Sequence, residues 1–317
     1  MESALFSLTI GFVLLFAGGE ALIRGAESLA RRLGVPPLLI GLTVVAFATS
    51  SPELVVSVRA ALSGHGDIAL GNVVGSNICN IGLILGAAAI AKPLRVQVQL
   101  IRIDVPILLA CSLALFILLY DGKVGRADAA VMLLTLAAYQ AFSIHQAKLE
   151  TPEAGMEIER SLPAAPHAPA AAAALVALGL ALLIAGGRTF VDGAVGLAAA
   201  AGVSPALVSL TVVAAGTSLP ELAATLAAVV RGHPDMAAGN VIGSCIFNLL
   251  GVLGVTALVA PVSGAGVGMA DLVVMTGFSL LLLPLMSTRL SVSRSEGFLM
   301  LFLYGAYILR LAFREIA

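Results

Sequence analysis

The sequence predicts an all-α polytopic membrane protein of ten transmembrane helices, arranged as two inverted five-helix repeats. Three observations predict it. Of the 317 residues, 60% are hydrophobic and 11% charged, where an ordinary soluble domain carries roughly 25% charged. Ten apolar stretches lie near the length a spanning helix needs, about 20 residues. The two halves of the chain also match one another at a constant offset of 168. A chain this apolar cannot cover its own core with solvated side chains, which excludes a soluble enzyme and a disordered chain. The net charge of −1 supplies no field to attract nucleic acid. Cys79, Cys111 and Cys245 form no CxxC pair, so neither a disulfide framework nor a zinc site is expected.

The spans are predicted in order at residues 4–23, 36–62, 67–91, 104–120, 125–146, 170–190, 204–230, 235–260, 270–287 and 294–313. The first is kept as a span instead of a signal peptide. Glu2 stands where a basic segment would be, and no small-residue cleavage site precedes further apolar sequence. Between the fifth and sixth spans, residues 148–169 hold Glu150, Glu153, Glu157, Glu159 and four prolines. This stretch reads as a short, exposed, non-helical linker, too short for a regulatory domain. The expected organisation is a first repeat at 1–147, a linker at 148–169 and a second repeat at 170–317.

Loops after odd-numbered spans carry 11 Lys and Arg residues, and the opposite side carries 6. The positive-inside rule then places the odd loops and the linker in the cytoplasm, with both termini outside.

The repeat is densest between residues 41–86 and 209–254, which align without gaps and agree at 24 of 46 positions. The same offset pairs Gly18-Gly19 with Gly186-Gly187, Gly25 with Gly193, Pro37 with Pro205 and Arg126 with Arg294. A half with five crossings ends on the side opposite its start, so the second half enters upside down. Transporters built this way hold their substrate at the midplane, often on broken helices. A duplication that merely built a symmetric bundle would repeat the apolar pattern. It would not repeat Glu, Asn, Ser and Thr in the middle of spans.

Glu53 and Glu221 are counterparts, each with long apolar sequence on both sides. A mid-span acid costs roughly 2.5–3.5 kcal/mol on insertion scales. No basic residue repeats at similar depth, since Arg59 lies near its span end and its counterpart is Ala227. Each acid follows Thr-Ser-x-Pro: Thr49-Ser50-Ser51-Pro52 and Thr217-Ser218-Leu219-Pro220. Proline removes a donor and clashes with the preceding turn. Both spans should therefore break there, freeing carbonyls near 46–49 and 214–217 beside the hydroxyls.

The following span in each half offers Ser76 with Asn80 and Ser244 with Asn248, four apart and so on one helix face. Gly71, Gly75, Gly239 and Gly243 read as packing residues. Asn72 and Asn240 read equally as interhelical glue or ligands. His65 and His233 lie in Gly-His-x-Asp turns, and Cys79 and Cys245 read as small packing residues. The result is an all-oxygen donor set with two anionic members. Such a set suits Ca2+, or Na+ at sites sharing the ligands, and disfavours Zn2+ or Cu2+.

These motifs resemble the α-repeats of the calcium/cation antiporter superfamily, the sodium/calcium exchangers. The resemblance covers both copies of G-T-S-x-P-E and G-N-x-x-G-S-x-x-x-N, with Ala48 replacing the first glycine. It implies a ten-helix frame around four cation sites. Their ligands would be Glu53, Glu221, Thr49, Ser50, Thr217, Ser218, Ser76, Ser244, Asn80, Asn248 and carbonyls near Ala46 and Ala214. The first and sixth spans would slide across this core. Some relatives, including the potassium-dependent branch, carry Asp where this chain has Asn248, so potassium dependence is not expected.

The function expected is a secondary antiporter exchanging Ca2+ for Na+, without a cofactor, in a bacterial cytoplasmic membrane. A Ca2+/H+ antiporter could use the same site. A cation channel is disfavoured by the absence of a filter-like TVGYG run, and an intramembrane enzyme by the absence of HExxH.

Overall fold

A computed structural model describes residues 2–161, 168–200, 216–264, 267–287 and 289–316. Its helices are α1 (Glu2–Leu33), α2 (Pro37–Thr49), α3 (Ser51–Leu62), α4 (Gly66–Ala91), α5 (Leu100–Leu118) and α6 (Arg126–Ser161). The second half continues with α7 (Pro169–Ala200), α8 (Leu219–Val230), α9 (Pro234–Val259), α10 (Met269–Ser287) and α11 (Arg294–Ile316). Among the described residues eight helices are long and apolar enough to cross a bilayer. The bent pair α2–α3, broken by 44°, adds a ninth. Most of the part expected to precede α8, residues 204–215, lies outside the described residues.

Burial identifies the centre. The apolar windows of α4 and α9 are 78% and 83% buried, against 17–39% for the other long helices. Glycine lets α2 reach α9: a Cβ on Gly239 would stand 2.8 Å from the Leu38 carbonyl oxygen, and one on Gly243 2.7 Å from that of Leu42. Both helices contain wide π-type turns, at Asn80–Leu85 in α4 and Asn248–Val252 in α9, and α2 has one at Gly41–Val45. Such turns recur at functional sites.

The outer pair α1 and α7 is packed backbone to backbone. Glycines recur every seven residues, Gly11, Gly18 and Gly25 on α1 and Gly179, Gly186 and Gly193 on α7. A Cβ on Gly18 would stand 2.8 Å from Leu183 N, one on Gly186 2.8 Å from Leu15 N, and one on Gly193 2.7 Å from Leu8 N. Rising numbers on one helix meet falling numbers on the other, so the two run antiparallel. Any side chain along this seam would force them apart.

Three expectations change. The first span was expected at 4–23, yet α1 runs on to Leu33 and carries Arg24, Arg31 and Arg32 on the helix. Its i,i+4 pairs Glu20–Arg24 (2.7 Å) and Glu27–Arg31 (2.6 Å) support that polar extension. The first part of the linker was expected to be non-helical, yet α6 is helical to Ser161. Residues 148–161 are mostly Glu, Leu, Ala, Lys, Arg and Met, which favour helix. The chain also holds four two-residue strands, β1 (Leu94–Arg95), β2 (Lys123–Val124), β3 (Val262–Ser263) and β4 (Ser291–Val292), paired antiparallel as β1–β4 and β2–β3. Pro93 and Pro261 force the residues before them, Lys92 and Ala260, into extended backbone. That stops α4 and α9 and starts β1 and β3.

Candidate cation site

Each half builds its part of the site from a helix break. Ser50 (φ −83°, ψ 6°) and Ser218 (φ −88°, ψ 5°) leave helical geometry, and Pro52 and Pro220 sit in the first turn of the new helices α3 and α8. Glu53 and Glu221 fall in those first turns, where the positive end of the helix dipole favours an anion. Both glutamates are fully buried.

The hydroxyls cross between halves. Ser50 Oγ donates to Glu221 Oε1 (2.8 Å) and Ser218 Oγ donates to Glu53 Oε1 (3.3 Å). Shifting either bond by 168 residues gives the other. Each carboxylate is thus tied to the helix break of the other half, and among the described residues neither has a Lys or Arg ion-pair partner.

Asn72 and Asn240 prove to be struts. Asn72 Nδ2 donates to Ser57 Oγ (2.9 Å) and the Glu53 carbonyl (3.3 Å). Asn240 Nδ2 donates to Thr225 Oγ1 (2.9 Å) and the Glu221 carbonyl (3.4 Å), and its Oδ1 accepts from Thr49 Oγ1 (3.2 Å). Each fastens the glutamate-bearing helix to its central neighbour.

Thirteen buried side-chain N and O atoms lack a hydrogen-bond partner among the described residues, and eight of them belong to predicted site residues. They are Glu53 Oε2, Glu221 Oε2, Ser76 Oγ, Ser244 Oγ, Thr217 Oγ1, Asn248 Oδ1 and both amide atoms of Asn80. Buried polar atoms are nearly always paired. Seven of these eight are oxygens, the donor type that hard cations take.

Two expected ligands stand differently. The Ala46 carbonyl was expected to be freed by the break, yet it accepts from Ser50 N (3.0 Å) and Thr49 Oγ1 (3.4 Å). The proline removes the donor four residues after Ala48, which leaves the turn at Ala46 closed. Ala214 lies outside the described residues.

Sequence reasoning passed over Asn77, which is buried and accepts from Asn248 Nδ2 at 3.3 Å. Its carbonyl also accepts from Cys245 Sγ (3.9 Å), its own counterpart at offset 168. A residue touching its counterpart marks where the two halves meet, and nothing in the aligned residue types announces that.

His65 and His233 cap α4 and α9 after Gly64 (φ 81°) and Gly232 (φ 82°). Their N–H groups reach back to the Ala60 and Ala228 carbonyls (2.9 Å each), closing Schellman turns. This is the turn role read from sequence.

The sequence model of the family described as "Sodium/calcium exchanger protein" matches residues 3–145 and 171–313, two stretches that begin 168 residues apart. The chain is 40% identical over 313 residues to "Putative antiporter CaxA" of Alkalimonas amylolytica, covering 97% of this chain and 98% of that protein. It is 30% identical to "Sodium/calcium exchanger MaX1" of Methanosarcina acetivorans, covering 95% and 96%. It is 38% identical to "Inner membrane protein YrbG" of Escherichia coli (strain K12), covering 80% and 79%. A solved structure of the sodium-calcium exchanger NCX_Mj superposes with a TM-score of 0.83 at 32% identity, covering 98% of this chain and 99% of that one.

Proposed function

The chain belongs to the sodium/calcium exchanger family, and on that premise we propose that it exports Ca2+ in exchange for Na+ by alternating access. It is an integral membrane transporter and not an enzyme. The observation that carries the reading is the cluster of unpartnered oxygens around Glu53 and Glu221. Two carboxylates neutralise one Ca2+. Na+ ions at sites sharing the same oxygens would compete with it.

The ligands proposed are Glu53, Glu221, Thr217, Ser76, Ser244, Asn80 and Asn248, joined by Ser50 and Ser218 once a cation replaces their hydrogen bonds. Thr49 and Ala46 would have to release the contact they make with each other, and Ala214 would act as the counterpart of Ala46. Buried carboxylates resist exposure to a low-dielectric barrier while charged. Binding of either ion set relieves this and permits the switch, so transport is obligatorily coupled.

We read the topology as ten spans in two inverted repeats, at 1–147 and 170–317, with the linker at 148–169 in the cytoplasm. Contacts between loops support it. Gln97 meets Asp235 and β1 pairs with β4, both joining odd-numbered loops. Arg126 meets the Leu258 carbonyl and β2 pairs with β3, both joining even-numbered loops. A missed span would break this parity. The antiparallel α1–α7 seam agrees with it.

A cleft of about 340 Å3 lies between α3 and α7, lined by Pro52, Val56, Arg188, Asp192 and Gly216 and reaching Thr217. With both termini outside, in a bacterial inner membrane, this cleft opens outward. On the other face a Cβ on Gly19 would stand 2.8 Å from the Ala223 carbonyl oxygen, so α1 is closed down on α8.

Proteoliposomes loaded with Na+, or carrying an imposed pH gradient, test the coupling through uptake of radiolabelled Ca2+. The Na+ gradient is expected to drive uptake, and Glu53→Gln to abolish it. Uptake driven by the pH gradient alone would assign the Ca2+/H+ alternative. Near-normal flux in Glu53→Gln would remove the carboxylate from its role.

A further inference from the structure

The two halves differ on the lipid-facing surface of their last two helices. Helices α10 and α11 enclose a groove of about 430 Å3, lined by Gly277, Leu281, Leu303, Tyr307 and Arg310 among others. In the counterpart pair, α5 and α6, the Tyr139–Asp104 bond matches Tyr307–Asp271, which aligns Ala110 with Gly277 and Phe142 with Arg310. A Cβ on Gly277 would meet nothing within 4 Å, and the same holds for Gly305 on α11. Gly277 and Gly305 leave the groove open, and Arg310, which the first half lacks, puts a cation at one end of it.

The neighbouring side chains identify what fills it. Val273, Leu280, Phe302 and Leu309 on the same two helices are exposed apolar residues of membrane-spanning segments, so the groove faces acyl chains. Lipid tails are as apolar as the side chains lining it, and the groove alone would not select one lipid over another. Selection rests on Arg310. The apolar span of α11 ends at Phe313, which puts Arg310 in its last turn, at headgroup level. Arg310 Nη1 donates to Asp271 Oδ1 at a long 3.3 Å, and its side chain is 44% exposed. Asp271 is independently held by Gly268 N (3.0 Å) and Tyr307 Oη (3.4 Å). A guanidinium offers five N–H donors, so most remain for a phosphate, which its planar fork matches.

We propose that this groove binds an anionic phospholipid, with one acyl chain between Gly277 and Leu303 and the phosphate on Arg310. A phosphatidylglycerol headgroup carries net charge. A phosphatidylcholine phosphate has its own ammonium and competes poorly for a single guanidinium. Native mass spectrometry of detergent-purified protein, delipidated and re-exposed to each lipid, tests this. Wild type is expected to retain phosphatidylglycerol about tenfold better than phosphatidylcholine, the size of one charge-assisted contact. Arg310→Gln should erase the preference. Gly277→Leu should lower retention of both lipids with Arg310 still present. Asp271→Asn should keep the preference, which separates lipid binding from the ion pair's part in folding. Equal retention of the two lipids by wild type would overturn the proposal. So would a preference surviving in Arg310→Gln, loss of preference in Asp271→Asn, or displacement of the lipid by millimolar inorganic phosphate.

Discussion

Replacing Glu221 with Gln should stabilise the protein in chelator and abolish its stabilisation by Ca2+. The wild-type carboxylate is fully buried, accepts one hydrogen bond from Ser50 at 2.8 Å and leaves Oε2 without a partner. Glutamine keeps an amide oxygen for Ser50 and removes the charge. A charged residue at a helix centre costs about 2.5–3.5 kcal/mol, so relief of about 2–3 kcal/mol is expected without Ca2+. That corresponds to roughly 5 °C or more in Tm. In Ca2+ at a thousandfold its Kd, wild type gains about 4 kcal/mol from binding, and the variant, having lost half the site's charge, should gain almost nothing. The two melting curves should therefore change order between chelator and saturating Ca2+. Thermal denaturation in detergent, monitored by loss of the monodisperse peak, measures both arms. A variant less stable than wild type in chelator, or one still shifted by Ca2+, would show that Glu221 is a structural acid and refute the reasoning.

Two further predictions rest on named contacts. Ser50→Ala should destabilise the Ca2+-free protein more than Ser218→Ala, because Ser50–Glu221 is 2.8 Å and Ser218–Glu53 is 3.3 Å. Leaving the shorter bond's buried acceptor unmade costs about 1–3 kcal/mol, and equal melting temperatures would contradict the assignment. Arg231→Gln should change exchange rate by up to about tenfold while altering stability by no more than about 1 kcal/mol, the scale of partly exposed ion pairs. Arg231 joins Glu20 (2.7 Å) and Glu27 (3.1 Å) of α1 to the end of α8, and an unchanged turnover number in proteoliposomes would show that this tie does not limit opening.

Much of the proposed site was legible because its requirements are chemical. A mid-span acid at two symmetric positions needs a cation, and Pro after Thr-Ser needs a break. Glu53, Glu221, Ser76, Ser244, Asn80 and Asn248 follow from residue type and spacing. What escaped depends on geometry that residue types do not encode. Asn77 was missed because its counterpart is Cys245, so the repeat comparison discarded it. The π-type turns beginning at Asn80 and Asn248 leave no mark in the apolar pattern. The seven-residue glycine spacing of α1 and α7 was present in the sequence and only partly read, since Gly11 and Gly179 lie in the most apolar part of each helix. The polar end of α1 was cut short because Arg24 and Arg31 look like loop residues until paired with Glu20 and Glu27.

The departures from symmetry carry their own consequence. If the two halves were identical, inverting the molecule would exchange its inward-open and outward-open states, and the two would have equal energy. The core nearly satisfies this, with Ser50–Glu221 mirrored by Ser218–Glu53. The periphery does not. At offset 168, Glu20 becomes Arg188, Arg24 becomes Asp192, Glu27 becomes Val195 and Arg231 becomes Ser63. The tie of Arg231 and His233 to α1 (His233 Nε2 lies 3.3 Å from Glu27 Oε2) therefore has no copy on the other face. There the structure has the cleft at Arg188 and Asp192 instead. The two partly exposed ion pairs of Arg231 amount to about 1 kcal/mol together, and each 1.4 kcal/mol is about a factor of ten in population. On the alternating-access reading proposed above, symmetry in the core would make both states possible, and asymmetry at the α1–α8 end would set which of them the empty transporter rests in.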